Sequence, residues 1–136
     1  MIARCGYRCD LCPAYKENIH SPEDQQRVSD GWFKFYGFRI LPQEIQCDGC
    51  LTDDSENPKR IDPSCPVRPC VLAKRIENCA RCDDYPCRKI ESRTVEYQTV
   101  TTEYGKPIPT EEYELFVKPY ENSKVLADIR SGLRGN

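Results

Sequence analysis

Ten cysteines fall within the first 87 residues and none follows: Cys5, Cys9 and Cys12, then Cys47 and Cys50, Cys65 and Cys70, and finally Cys79, Cys82 and Cys87. Thiols grouped this closely can grip a soft metal ion from a single turn, a demand that ordinary core packing does not make. The rest of the composition points the same way. Only 38% of the 136 residues are hydrophobic, a figure that already includes the cysteines and eight tyrosines, while 31% are charged. Apolar burial alone would leave such a chain marginally stable, so a further cross-link is expected.

Compartment decides between disulfides and metal. The opening Met1-Ile2-Ala3-Arg4-Cys5-Gly6-Tyr7-Arg8 contains no apolar leader region, and no later stretch approaches the ~20 apolar residues of a membrane span. The sequence therefore reads as cytoplasmic, without a membrane partner, with its thiols reduced and available as ligands. Charge indicates no nucleic-acid surface. Residues 1–92 carry 14 basic and 15 acidic side chains and residues 93–136 carry 6 and 7, so neither part presents a basic field.

Helix signals are clear in places. Ser21-Pro22-Glu23-Asp24 supplies a cap, a proline at the first helical position and first-turn acids, and Gly37 is placed to end a helix over 22–36. Val28, Trp32, Phe35 and Tyr36 form one apolar stripe on it, read as core rather than as a ligand-stacking surface. Further helices are expected over 66–77, over a short stretch ending near Glu91, from Thr110 to about Val117, and at the C-terminus on Val125, Leu126, Ile129 and Leu133. Residues 95–104, rich in β-branched and aromatic side chains, read as a strand ended by Gly105-Lys106-Pro107. The expected fold class is a small metal-stapled α+β domain, mostly helices and irregular cysteine loops with a minor strand pair. It divides into a cysteine-rich metal-binding part, 1–92, and a cysteine-free strand and helix extension, 93–136, packed on it.

Three pairs have Cys-x2-Cys spacing: Cys9/Cys12, Cys47/Cys50 and Cys79/Cys82. Two thiolates so spaced on a tight turn both reach a tetrahedral centre, with Zn–S near ~2.3 Å. Metal sites of four cysteines commonly join two pairs distant in sequence, which selects Cys47, Cys50, Cys79 and Cys82 as a first site. Cys9, Cys12, Cys65 and Cys70 are the simplest second quartet, leaving Cys5 and Cys87 as spares. His20 precedes the Ser21 cap and reads as an exposed histidine rather than a ligand.

Iron is the alternative metal. Cys5-x3-Cys9-x2-Cys12 has the spacing by which radical S-adenosylmethionine enzymes hold a four-iron cluster, yet the run of strand and helix units those enzymes need does not follow. An iron-sulfur electron carrier fits the chain better than such an enzyme. Thiol-disulfide exchange is a third chemistry, but no Cys-x2-Cys pair here follows an expected strand. One histidine, and no glycine-rich phosphate loop, leave no catalytic residue to assign.

The linked motifs Cys5-Gly6-x-x-Cys9-x-x-Cys12-Pro13-Ala14-Tyr15, Cys47-Asp48-Gly49-Cys50, Cys65-Pro66-Val67-Arg68-x-Cys70 and Asn78-Cys79-Ala80-Arg81-Cys82-Asp83-Asp84-Tyr85-Pro86-Cys87 resemble a set of short cysteine-rich prokaryotic proteins. That set is catalogued as a domain of unknown function with a presumed zinc-binding role. The resemblance covers about the first two thirds of the chain and implies metal-binding cysteines without an established activity. The expected protein is thus a structural zinc protein with two ions, an adaptor or interaction module for an unidentified protein partner. An iron-sulfur redox protein or accessory factor is the alternative.

Overall fold

The computed structural model describes residues 1–132 and, among them, six α-helices joined by cysteine loops and short 3-10 turns. These are α1 (Pro22–Tyr36), α2 (Val67–Lys74), α3 (Arg88–Glu91), α4 (Tyr97–Tyr104), α5 (Thr110–Phe116) and α6 (Asn122–Arg130). No helix is long and apolar enough to cross a membrane among the described residues.

The local signals act as their chemistry requires. The Ser21 hydroxyl accepts from the Asp24 amide at 3.2 Å, the Asp24 carboxylate accepts from the His20 amide at 2.8 Å, and Gly37 closes α1 at φ 81°. His20 is exposed. Helix α2 stops at Lys74, earlier than its apolar pattern suggests, because Arg75 turns into the left-handed region at φ 58°. Ile76 then donates back to the Val71 carbonyl at 3.3 Å and still packs on the core. Leu133, expected to extend the last amphipathic face, lies outside the described residues.

The expected strand and the α+β class are not what the chain adopts. Residues Tyr97–Tyr104 form a helix, and the described residues hold only two isolated β-bridges, Ile2 with Arg8 and Tyr15 with Cys47. Packing explains the outcome. Helix α4 lies on α1, with Val100 buried, Tyr104 4.8 Å from the Phe35 ring and Tyr97 edge-on to Tyr113. Tyr97, Val100 and Tyr104 recur at i, i+3 and i+7, a helical stripe that outweighs the β propensity of the threonines between them. A lone strand would also leave its backbone groups unpaired.

Two apolar cores result. The first is rich in sulfur: Ala3, Cys5, Cys9, Val67, Val71, Cys79 and Ile90 meet Val125, Leu126 and Ile129 of α6. The second is aromatic and holds Val28, Trp32, Phe35, Ile45, Val100, Phe116 and Tyr120. Residues beyond 93 therefore supply part of each core.

Gly31 marks the tightest approach in the second core. A Cβ there would stand 2.2 Å from Phe116 Cζ and under 3 Å from two more atoms of that buried ring. On helix propensity alone Gly31→Ala would stabilise α1 by up to about 1 kcal/mol. Overpacking costs about 1–3 kcal/mol and reverses the sign. Urea unfolding of Gly31→Ala should show a net loss of stability; a gain would mean that α1 and α5 do not meet this closely.

Candidate metal centre

Each cysteine group is shaped by a turn that its neighbours enforce. Cys9–Leu11 and Cys79–Arg81 are single 3-10 turns in which the amides of Cys12 and Cys82 return to the carbonyls of Cys9 and Cys79. Asn78 caps the second turn, its side chain accepting from the Ala80 amide at 2.9 Å. In the Cys47–Cys50 turn Gly49 adopts φ 95° with Tyr15 3.2 Å from where a Cβ would stand, so a side chain there would be both strained and crowded. Arginines clamp the knuckles from outside. Arg68 Nε donates to the Cys50 carbonyl at 3.0 Å, Arg60 to that of Gly49, and Arg130 to those of Ala80 and Cys82.

The knuckles face two separate cavities. Cys5, Cys9, Cys12, Cys47, Cys50 and Cys65 line one of about 240 Å³. Its remaining wall combines Tyr7, Trp32, Tyr36 and Tyr120 with Arg60, Asp62 and Arg93, so Trp32 belongs to the core and to this wall together. Cys70, Cys79, Cys82 and Cys87 line the other, about 350 Å³, between α2 and the start of α3. The structure thus brings Cys47 and Cys50 together with Cys9 and Cys12, and not with Cys79 and Cys82. Cys5 and Cys87, the apparent spares, each line a cavity, and Cys65 and Cys70 face different ones. All ten cysteines are free thiols. Among the described residues no three His, Cys, Asp or Glu side chains are gathered closely enough to hold a metal ion as they stand.

Two hydrogen bonds show which way the thiols are polarised. An indole N–H can only donate, so Trp32 Nε1 gives its proton to the Tyr120 hydroxyl at 3.2 Å. The buried Tyr120 hydroxyl lies 3.1 Å from the Cys12 sulfur, and it is the donor in that bond whenever Cys12 is a thiolate, which can only accept. In the second cavity Lys74, an ammonium with no acceptor capacity, donates to Cys82 Sγ at 3.2 Å and pairs with Asp84 at 2.6 Å. Donors aimed at sulfur stabilise the thiolate, the form that binds metal.

Without metal, burial opposes that charge. Desolvation pushes Cys5 and Cys79 up to about 12 and Cys12 up to about 11. Cys9 is drawn the other way, below the usual thiol range, because the Cys50 thiol hydrogen-bonds it; Cys50 is raised in consequence. The donor set is soft and largely buried, an environment that suits a thiophilic cation.

Tyr120, Lys74 and the clamping arginines carry no short-range signature in the sequence, since their sulfur or carbonyl partners lie 8 to 108 residues away. No curated protein and no solved structure matches this chain. The sequence model of the family described as Protein of unknown function (DUF3795) matches residues 1–92, the stretch that holds every cysteine, and the chain belongs to that family.

Proposed function

We propose that this protein is a metal-thiolate protein whose ten cysteines serve two centres, a six-thiol cavity and a four-thiol cavity, with zinc as the metal. The observation that carries the reading is the division of the cysteines: each lines one cavity or the other, and none is left over. Cys70, Cys79, Cys82 and Cys87 match the four-donor set of a closed structural zinc site, and capture would draw their side chains inward. All-thiolate zinc activates water poorly, so hydrolysis is disfavoured and the centres act as staples. An adaptor or interaction module working in the reducing cytoplasm fits this chemistry. Phe33, Phe38 and Leu41, each about half exposed near the end of α1, are the apolar side chains such a role would use.

One observation favours a second reading. Cys5, Cys9 and Cys12 all face the six-thiol cavity, a donor set that would also suit an iron-sulfur cluster in a redox or accessory protein. Anaerobic purification followed by elemental analysis separates the two. Zinc in a colourless protein supports the first reading, and a brown protein absorbing near ~400 nm with iron and sulfide selects the second. Fully reduced protein that retains and takes up neither metal would refute both.

A further inference from the structure

One short stretch of chain holds the whole of the first cysteine loop, residues 5–12. The Pro119 carbonyl accepts from the Arg8 amide at 2.7 Å, the Tyr120 hydroxyl lies 3.1 Å from the Cys12 sulfur, and the Asn122 side-chain amide donates to the Cys5 carbonyl at 2.9 Å. Residues 119–122 lie outside the family-matched stretch, 1–92. Of the three contacts, that of Tyr120 alone reaches a sulfur, and Tyr120, Cys12 and Trp32 line the six-thiol cavity together.

These three side chains form a hydrogen-bond chain with a direction. Trp32 Nε1 can only donate, and it donates to the Tyr120 hydroxyl at 3.2 Å. That bond uses an acceptor position on the oxygen and leaves the hydroxyl proton to be placed. The neighbouring Tyr36 hydroxyl is committed to the Phe116 carbonyl, so the Cys12 sulfur is the remaining partner of Tyr120 among the described residues. Tyr120 is 9% exposed, and a buried hydroxyl without an acceptor is costly. A metal-bound thiolate gives its proton a fixed destination. The corresponding bond from Lys74 to Cys82 starts from an exposed side chain, where water competes for the ammonium.

Resting on the metal-thiolate reading above, we propose that Tyr120 is a positioning residue of the six-thiol centre: oriented by Trp32, its hydroxyl holds the Cys12 sulfur as a thiolate ligand, and the metal affinity of that centre depends on a residue outside the stretch that carries the cysteines. Tyr120 itself touches no metal. It acts through Cys12, as outer-shell donors do at metal sites.

Zinc affinity of reduced Tyr120→Phe, measured by chelator competition, tests this. The substitution removes one oxygen and keeps the ring. Outer-shell partners contribute about 10–100-fold to metal affinity, so the variant should lose that factor at one centre. The four-thiol cavity, which Tyr120 does not line, should bind as before. Cobalt(II) in place of zinc supplies a readout that packing alone does not move. A hydrogen bond lowers the energy of the sulfur lone pairs, so the sulfur-to-cobalt charge-transfer absorption should shift to longer wavelength in Tyr120→Phe. An unmoved band, or an unchanged affinity, would overturn the positioning role and leave the metal-thiolate reading standing. No zinc uptake by the unaltered protein would overturn both. Should loss of the indole's acceptor keep Tyr120→Phe from folding, the unaltered protein provides a second test. Trp32 is the sole tryptophan, so its indole N–H gives a single signal of its kind in a nitrogen-proton correlation spectrum. That signal should shift as zinc is bound, because a hydroxyl that donates to a thiolate becomes a better acceptor for the indole. A signal unmoved while zinc is taken up to saturation would overturn the proposal.

Discussion

Stripping the metal with EDTA under reducing conditions should abolish the cooperative unfolding transition at 25 °C. Structural zinc contributes about 10–16 kcal/mol to the folding of small zinc modules, as much as the whole stability of a typical domain, about 5–15 kcal/mol. The loss should be uneven. The sulfur-rich core around Cys5, Cys9 and Cys79 joins α2, α3 and α6, with Cys50, Cys65 and Cys87 packed against it. Without metal those thiols are buried hydrophobes facing open cavities. The aromatic core of α1, α4 and α5 contains no fully buried cysteine, only Cys12 at its margin. Amide exchange should therefore show α2, α3 and α6 unprotected first, with α1 retaining the most residual protection. Apoprotein melting cooperatively within a few degrees of the metal-loaded form would show that the metal is not the staple.

Asn122→Ala should cost about 2–6 kcal/mol in the metal-loaded protein. Asn122 is completely buried. Its amide donates to the Cys5 carbonyl at 2.9 Å and its oxygen accepts from the Val95 amide at 3.2 Å. One side chain of α6 thereby ties the first cysteine loop to the segment leading into α4. Alanine would leave two backbone groups without partners, at about 1–3 kcal/mol each. Gly6 makes the site unforgiving, since it sits at φ 93° with a Cβ position 3.1 Å from that of Asn122, leaving little room to repack. Asn122→Asp is the informative companion. It keeps the acceptor for Val95 but turns a second oxygen toward the Cys5 carbonyl, and should be no more stable than the alanine variant. Urea unfolding measures both, and a cost below about 0.5 kcal/mol for Asn122→Ala would contradict this placement of α6.

The helices were legible where local chemistry fixes them. Ser21, Pro22 and Gly37 bound α1 because capping and left-handed termination are properties of a few neighbouring residues. Of the stripe Val28, Trp32, Phe35 and Tyr36, legible for the same reason, the first three are buried and Tyr36 is half-buried. Helix α4 was misread because threonine and valine content was weighed above the spacing of Tyr97, Val100 and Tyr104, and only the neighbouring rings of Phe35 and Tyr113 show which signal wins. The knuckles could be located from spacing, but their grouping could not. Spacing identifies which thiols share a turn and says nothing of which turns share a cavity. That is set by long-range links such as the Cys47 amide to Ala14 at 2.9 Å and the Cys79 amide to Arg4 at 3.0 Å.

The grouping of the cysteines is also where the account is most exposed. Metal content of Cys70→Ser, Cys47→Ser and Cys79→Ser, alone and in pairs, tests it by additivity. If the cavities are the sites, Cys70→Ser with Cys79→Ser loses no more metal than either alone, because both remove the same ion. Cys47→Ser with Cys79→Ser loses the sum of the single losses. Non-additive loss for Cys47 and Cys79, with additive loss for Cys70 and Cys79, would join the knuckles across the two cavities and contradict the six and four division.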